Sequence, residues 1–199
     1  MVICHVKNTG RCRELLVPGA RVVLEKASNP GRKTKYDLIA VWKGDMLVNM
    51  DSQAPNIAFK EWAECSLFPE GLTLLRPETR HGDSRFDFYY KTDAEEGFIE
   101  VKGVTLEDGG VVRFPDAPTQ RGAKHLRGLI QCMREGYGAY AVFVVQMPGM
   151  KYFTPNEATD PDFAAALREA AAGVKVIALE CDVEPGEMHI IGEIPVKLY

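Results

Sequence analysis

The sequence predicts an α/β protein, α+β overall, in which a small all-β unit is followed by a mixed sheet flanked by helices. Three observations support this prediction. Residues 1–60 alternate short β-prone segments with turn residues. Residues 85–90 and 98–105 are typical of two strands joined by a polar turn, which indicates a hairpin. After residue 120, helical periodicity alternates with apolar runs, as in parallel crossover units.

The first unit is predicted from four β-prone segments separated by Gly, Pro and Asn. Segments of this length and spacing are typical of a small barrel or sandwich. They are Val2–Val6, Arg21–Leu24, Tyr36–Trp42 and Met46–Met50. The pattern breaks at residues 53–56, where Asn56 is expected to cap a helix that runs to about Glu64. We therefore divide the chain into residues 1–60 and residues 61–199.

The second unit is predicted from a strand, the hairpin and two helix–strand pairs. Its elements besides the hairpin are the strand Leu72–Leu75, the helix Gln120–Glu135, the strand Ala139–Met147, a helix from Asp160 to Gly173 and the strand Val174–Leu179. The first helix follows from apolar residues at intervals of three and four. The second follows from Asp160 and Pro161, a capping residue and a first-turn proline. Gly122 and Gly128 within the first helix indicate a close approach of the backbone to a neighbour.

Composition indicates a protein that folds in the cytoplasm. Hydrophobic residues make up 46% of the chain, which is ordinary for a domain with a real core. No run of about 18 apolar residues exists, and the N-terminus lacks the profile of a signal peptide. The five cysteines include no C-x-x-C pair, so reduced thiols are expected rather than disulfides or zinc ligands. We expect a cytoplasmic protein without a membrane partner.

Charge is distributed unevenly along the chain. The net charge is −4, but residues 1–60 carry ten Lys and Arg against five Asp and Glu. Such asymmetry can mark a basic module that meets phosphate, and chance unevenness is the alternative. The basic residues expected to contact a nucleic-acid backbone here are Arg11, Arg13, Arg32, Lys33 and Lys35.

The predicted hairpin carries the residues best suited to catalysis. Glu100 and Lys102 are two apart in a strand and therefore share a face. A turn near residues 93–94 places Asp87 opposite position 100 or 101, where cross-strand Cβ atoms lie about 4.5–5.5 Å apart. Two such carboxylates can hold Mg²⁺, with water and a substrate phosphate completing its coordination shell. Lys102 beside them can activate the attacking water and add positive charge at the phosphate.

The E-x-K pattern has a plainer alternative. A chain of this length contains an E-x-K roughly once by chance, and by itself the pattern fits an exposed strand face. The acid at Asp87 on the preceding strand and the apolar surroundings favour a site.

The helix predicted after residue 120 begins with a concentration of positive charge. Arg121, Lys124 and His125 lie in its first turns, where cations oppose the helix dipole. A phosphate docked at this end would account for them. The alternative is an acid within the fold, such as Asp116.

Several segments together resemble the signature blocks of the sugar fermentation stimulation protein (SfsA) family. In the second unit these are SRFDF, FIEVKGVTL and FPDAPTQRGAKHL. In the first unit CHVKNTGRCRELLVPG, NPGRKTKYDL and VNMDSQAPN are similar to the family's first domain. The resemblance covers the chain from end to end, and the combination of blocks is highly specific.

The resemblance implies an OB-like β-barrel followed by a PD-(D/E)xK, restriction-endonuclease-like sheet flanked by helices, in a protein that binds DNA with little sequence preference. Position by position, it matches Asp87, Glu100, Lys102, Asp116, Arg121 and His125, and it places Glu78 at an acid ahead of the hairpin. Members usually carry further residues before the block at Cys4, so the barrel is expected to be truncated at its N-terminus.

The sequence thus predicts a Mg²⁺-dependent nuclease, with Mn²⁺ as a substitute, that hydrolyses phosphodiester bonds in DNA or, alternatively, RNA. Asp87, Glu100 and Lys102 are the expected catalytic residues, and the first two are the expected metal ligands. Nucleic-acid contacts are expected from Arg11, Arg13, Arg32, Lys33, Lys35, Arg85, Arg121, Lys124 and His125, with Glu78 and Asp116 in support. The competing function is a non-catalytic DNA-binding regulatory protein. The complete D…E-x-K set favours the enzyme, because a binder does not need two acids beside a phosphate.

Overall fold

The structure, a computed structural model, describes residues 2–8, 10–29 and 31–199. The predicted turns at residues 8–10 and 29–31 each include one residue, Thr9 and Pro30, that lies outside this description, as does Met1. The first unit contains the strands β1 (Cys4–Val6), β2 (Val22–Lys26), β3 (Tyr36–Lys43) and β4 (Met46–Asn49). The strand β3 pairs with β1 in parallel and with β2 and β4 in antiparallel. All four predicted strands of this unit are confirmed.

The rest of the chain alternates strands with three helices. Its elements are α1 (Ala54–Ser66), β5 (Leu72–His81), β6 (Ser84–Thr92), β7 (Glu96–Val104), β8 (Leu106–Asp108), β9 (Val111–Phe114), α2 (Gln120–Arg134), β10 (Gly138–Val145), β11 (Tyr152–Pro155), α3 (Pro161–Ala170), β12 (Lys175–Glu184) and β13 (Glu187–Ile194). Asp160 caps α3, because its side chain accepts a hydrogen bond from the Phe163 amide at 2.9 Å.

Six strands form the main sheet in the order β13-β12-β10-β7-β6-β5. The strands β7, β10 and β12 run parallel, and α2 and α3 provide the crossovers between them. The strands β5, β6 and β7 are antiparallel neighbours, so the predicted hairpin leading into a parallel crossover is confirmed. The small sheet β11-β9-β8 and the edge strand β13 were not predicted. Strands of three or four residues carry little periodicity, and β13 alternates exposed and half-buried residues at the sheet edge.

The two faces of the main sheet pack on different helices. Phe98 of β7 lies in a core cluster with Leu126 and Leu129 of α2. Its neighbours Ile99 and Val101 lie in a second cluster, with Phe59 of α1. Because side chains alternate along a strand, Glu100 projects toward the α2 face. The sheet thus directs the E-x-K residues at α2.

The first unit shares both clusters with the main sheet. Val41 and Val48 belong to the α2-side cluster, and Ala40 and Leu47 belong to the α1-side cluster. The predicted division at residue 60 falls inside α1, whose buried residues pack on the main sheet, so the helix itself belongs with the second unit.

The prediction that Asn56 caps this helix is wrong. The N-cap is Gln53, with Pro55 in the first turn, and the Asn56 side chain bonds elsewhere. In the parts of the chain that the structure describes, no helix is long and apolar enough to cross a membrane.

Candidate active site

The β6–β7 hairpin brings Asp87 to the strand that carries Glu100. The hairpin turns at residues 92–95, as predicted, and its register pairs Phe88 with Ile99. The backbone pairing of the two strands ends at this pair, and Asp87 is the next residue of β6. At this point the Val101 amide donates to Oδ2 of Asp87 at 2.8 Å, so the carboxylate is held against the β7 backbone.

Asp87 is held from a second direction by α1. The side-chain amide of Asn56 donates to its Oδ1 at 2.9 Å. Burial raises the pKa of Asp87, and the nearby Glu100 carboxylate raises it further, while Lys102 and the two hydrogen bonds oppose the rise. Asp87 is thus near enough to Glu100 and Lys102 for their charges to act on its carboxylate. Sequence reasoning missed Asn56, which it assigned to a helix cap.

Glu100 is the most buried acid of the cluster, with 2% of its surface exposed. Its Oε1 accepts from both Lys102 Nζ and His125 Nδ1. Its Oε2 is buried and has no hydrogen-bond partner among the described residues. Burial acts to raise the pKa of Glu100, but the His125 hydrogen bond and the Lys102 charge outweigh it, so the pKa lies below its ordinary value. The site therefore contains an ionised, buried carboxylate with one oxygen open.

These oxygens fit a divalent cation. Buried polar atoms are nearly always partnered, so an open carboxylate oxygen in a protein interior calls for a bound ion or an ordered water. Carboxylate oxygens are the ligands that Mg²⁺ and Ca²⁺ take, and Mg²⁺ usually retains several waters. Within residues 2–8, 10–29 and 31–199, no group of three or more His, Cys, Asp and Glu is placed to hold a metal ion. A cation bound by Asp87 and Glu100 would therefore complete its shell with water and substrate oxygens.

A cleft of about 500 Å³ lies beside this cluster, between the two units. Lys102, Arg113 and Arg121 line it from the second unit, and Asn8 and Ser52 line it from the first. Asp87 lines a different, smaller cavity of about 300 Å³ on the α1 side. The structure thus brings Lys102 and Arg121 together on one cleft, with Asp87 facing the other side of the cluster.

Comparison with known proteins identifies the family. A family model described as "Sugar fermentation stimulation protein RE domain" matches residues 53–187, and one described as "SfsA N-terminal OB domain" matches residues 2–50. The chain belongs to the SfsA family. It therefore combines an OB domain with a restriction-endonuclease-like domain, as the resemblance implied.

Individual SfsA proteins are similar to this chain over nearly its whole length. A sugar fermentation stimulation protein homolog of Desulfitobacterium hafniense is 53% identical over 98% of this chain and 86% of its own length. The homolog of Ruminiclostridium cellulolyticum is 51% identical over 98% of this chain and 87% of its own length. The solved structure of Pyrococcus furiosus SfsA in complex with Ca²⁺ superimposes with a TM-score of 0.89 at 33% identity, covering 98% of this chain and 85% of that one.

The SfsA pattern R-G-x-x-H provides the α2 side of the site. Arg121 and Lys124 are exposed, as a phosphate contact requires. His125 is buried at 8% exposure and bonds to Glu100, so its place is within the carboxylate cluster rather than on the surface. The spacing of four residues was the available signal, because it places Arg121 and His125 on one helical face.

Asp116 of the SfsA block FPDA joins the two units. Its Oδ2 accepts from the backbone amide of Cys12 at 2.6 Å. The first turn of α2 contains no acid and is capped by Thr119, whose own backbone amide donates to Oδ2 of Asp160 at 2.7 Å. An acid of the fold, Asp160, thus lies at the start of α2, and the intramolecular alternative to a bound phosphate stays open beside the anion-binding hypothesis.

The basic residues of the OB domain fall into two groups. Arg11, Arg13, Lys33 and Lys35 are exposed, and none of them forms an ion pair within the described ranges. Arg32 instead makes a bidentate pair with Asp37, with N–O distances of 2.7 and 2.5 Å. A phosphate contact by Arg32 would have to compete with that pair. In the second unit, Arg85 pairs with Glu78, so these two predicted residues also bind each other.

Proposed function

We propose that the protein is a divalent-cation-dependent nuclease that hydrolyses phosphodiester bonds in DNA with little sequence preference. Mg²⁺ is the proposed physiological cation, and Mn²⁺ the substitute. The observation that carries the proposal is the buried, unpartnered Oε2 of Glu100 beside Asp87 and Lys102, in the part of the chain that the structure describes. A DNA substrate also agrees with the cytoplasmic location expected from the sequence.

The cation is supported by the ligand chemistry and by a relative. Asp87 and Glu100 offer carboxylate oxygens, which hard cations prefer over other side-chain ligands. Pyrococcus furiosus SfsA, 33% identical to this chain, was solved in complex with Ca²⁺. Ca²⁺ and Mg²⁺ share this preference for oxygen, so a Ca²⁺-binding relative favours a divalent-cation site here.

Each residue of the cluster has a distinct role in hydrolysis. Asp87 and Glu100 would hold the cation, and Asn56 and the Val101 amide keep the Asp87 carboxylate in place. When bound, the cation would neutralise the phosphate charge and make water more acidic. Lys102 lines the cleft with its ammonium beside Glu100, and it would orient the attacking water and stabilise the charge that develops on the phosphate.

The cleft between the units supports a polymeric substrate. Both units line it, and Lys102, Arg113 and Arg121 contribute positive charge. Backbone phosphate contacts of this kind carry no sequence information, which accounts for the expected lack of sequence preference. The same contacts also fit RNA, so the substrate test includes both polymers.

The test is a cleavage assay on single- and double-stranded DNA and on RNA, with Mg²⁺, Mn²⁺ or EDTA. We expect metal-dependent cleavage that EDTA abolishes and that Glu100→Gln and Asp87→Asn remove. Glu96→Gln is the matched control, because Glu96 lies on the same strand but is exposed and bonds to Tyr89. Wild-type protein that binds DNA without cleaving any substrate would contradict the proposal and favour the non-catalytic regulator.

A further inference from the structure

His125 lies between the cation-binding carboxylate and the exposed start of α2. Its Nδ1 bonds to Oε1 of Glu100, and its Nε2 accepts from Nε of Arg121 at 3.4 Å. A guanidinium has donors only, so the Nε2 atom that faces it carries a lone pair. The ring proton is therefore on Nδ1 and is donated to Glu100.

We infer that His125 is a positioning residue that fixes Oε1 of Glu100 and so reserves Oε2 for the divalent cation. The inference rests on the proposed function only in placing a cation at this carboxylate. In many metal sites a second residue holds the ligand in one orientation and raises its effectiveness. Here the ligand is the carboxylate, and the histidine performs the holding.

The histidine is itself held in place. It is buried on α2, and its ring packs edge-on against Phe86, with ring centroids 6.5 Å apart. The helix lies close to the sheet here, because Gly128 places no Cβ between its backbone and the side chains of Ser84 and Phe86. The ring orientation is thus set by the packing of α2 on β6 as well as by Arg121.

Removing the His125 donor leaves Lys102 as the partner of Oε1. A lysine side chain is flexible, and its ammonium can donate to both oxygens of a carboxylate. Glu100 would then be free to rotate, and its two oxygens would share the Lys102 ammonium. Both the open ligand position and the ammonium in the cleft would be lost together. We expect cation affinity to fall about 10- to 100-fold, the usual cost of losing such a supporting residue.

Three substitutions of His125 separate hydrogen bonding from packing. In His125→Asn the side-chain amide nitrogen can take the place of Nδ1, so a donor toward Glu100 is kept. In His125→Gln the amide nitrogen takes the place of Nε2 instead, and His125→Leu has no donor at all. Asparagine is smaller than glutamine, so His125→Asn leaves a larger cavity than His125→Gln does. A purely structural role therefore predicts that His125→Gln is the milder change, whereas the inferred role predicts that His125→Asn is.

The experiment measures Ca²⁺ binding to the full chain by isothermal titration calorimetry, with thermal unfolding to confirm that each variant is folded. We expect His125→Asn to bind Ca²⁺ within a few-fold of the wild type, and His125→Gln and His125→Leu to bind about 10- to 100-fold more weakly. If His125→Leu does not fold, the comparison of His125→Gln with His125→Asn decides the case.

The outcomes separate this inference from the proposed nuclease function. Equal affinity in His125→Gln and the wild type, or a His125→Asn variant as weak as His125→Gln, overturns the role of His125 even where the wild type cleaves DNA. Wild-type protein that binds no Ca²⁺ also overturns it, because no cation then uses Oε2. The expected order of affinities in a protein that cleaves nothing supports the role of His125 and contradicts the nuclease.

Discussion

Lys102 makes two contributions at once. Its ammonium pairs with Oε1 of Glu100, and its side chain lines the cleft between the units. The first contact stabilises the carboxylate that we propose as a cation ligand, and the second places a positive charge where a phosphate would react. A group that acts mainly on the transition state changes the rate more than it changes ground-state affinity.

Lys102→Ala is therefore expected to lower the cleavage rate by about 10²- to 10³-fold while DNA affinity stays within a few-fold of the wild type. Single-turnover cleavage and a fluorescence-anisotropy titration on the same DNA measure the two quantities. Lys91→Ala, at an exposed position of β6, is the control and should change neither. A parallel, modest loss of rate and affinity would identify Lys102 as an ordinary phosphate contact.

Asp37 gives the first unit a pH-dependent contribution to stability. The bidentate Arg32 pair lowers the pKa of Asp37 to about 2, with help from the charge of Lys7 and against the effect of burial. In the unfolded chain an aspartate has a pKa of about 3.9. A depressed carboxyl pKa stabilises the folded state above the unfolded value, and this stabilisation is lost as the pH falls toward 2.

Asp37→Asn should therefore reduce stability most above about pH 5, and its deficit should shrink steadily on acidification. Urea unfolding of the wild type and the variant across this range measures the difference. Asp45→Asn, at an exposed position in the β3–β4 turn, serves as the control and should stay close to the wild type. If the loss of stability in Asp37→Asn were the same at every pH, the negative charge of Asp37 would not be the source of its contribution to stability.

At the scale of elements, the contact between α2 and β6 determines where His125 lies. Gly128 is in the middle of α2, where glycine costs about 1 kcal/mol relative to alanine. The structure explains this cost: a Cβ at this position would lie 2.7 Å from Ser84 Oγ and 3.1 Å from Phe86 Cζ. The close backbone approach predicted from the helix glycines is thereby confirmed.

Gly128→Ala is expected to destabilise the protein by about 1–2 kcal/mol, because an overpacking cost of about 1–3 kcal/mol exceeds the gain in helix propensity. Chemical denaturation measures the change. Adding Ser84→Ala removes the nearest atom and should recover part of the loss. Gly192→Ala, where a Cβ has no neighbour within 4 Å, should be nearly neutral. A stabilising Gly128→Ala would show that α2 can move away from the sheet without cost.

At the scale of the whole molecule, the two domains pack against each other. The core clusters extend across both, and Gln146 donates to the backbone oxygens of Asn49 and Asp51 at 3.1 and 3.2 Å. The first unit carries a net positive charge, with ten Lys and Arg against five Asp and Glu, and the cluster of Asp87 and Glu100 lies in the second. This arrangement favours a division in which the OB domain contacts the phosphate backbone and the nuclease-like domain acts on it.

The double variants Arg11→Ala/Arg13→Ala and Lys33→Ala/Lys35→Ala are each expected to reduce the slope of log affinity against log salt by about two, because each lost phosphate contact removes about one unit. DNA binding at several salt concentrations measures the slope. Arg32 is left intact, since its loss would remove the ion-pair partner of the buried Asp37 carboxylate. A double variant of Lys91 and Arg134, both exposed on the second unit, is matched in charge. Unchanged slopes in both test variants would show that these residues of the OB domain do not contact the phosphates.

The sequence by itself determined the elements with strong local signals. The helical spacing of Leu126, Leu129 and Ile130 predicted α2, and the capping pair at Asp160 and Pro161 predicted α3. The turn at residues 92–95 set the hairpin register, and with it the face that Glu100 and Lys102 share. These predictions succeeded because hydrogen bonding and side-chain alternation act over a few residues.

Only the tertiary structure decided which partners complete the cluster. Asn56 reaches Asp87 across 31 positions of sequence, and His125 reaches Glu100 across 25. Both contacts depend on how α1 and α2 cross the sheet. The packing of the two apolar sheet faces sets these crossings, and no local sequence pattern predicts them. The open Oε2 of Glu100 has the same origin, because burial by α2 and the sheet removes water from one oxygen while His125 and Lys102 take the other.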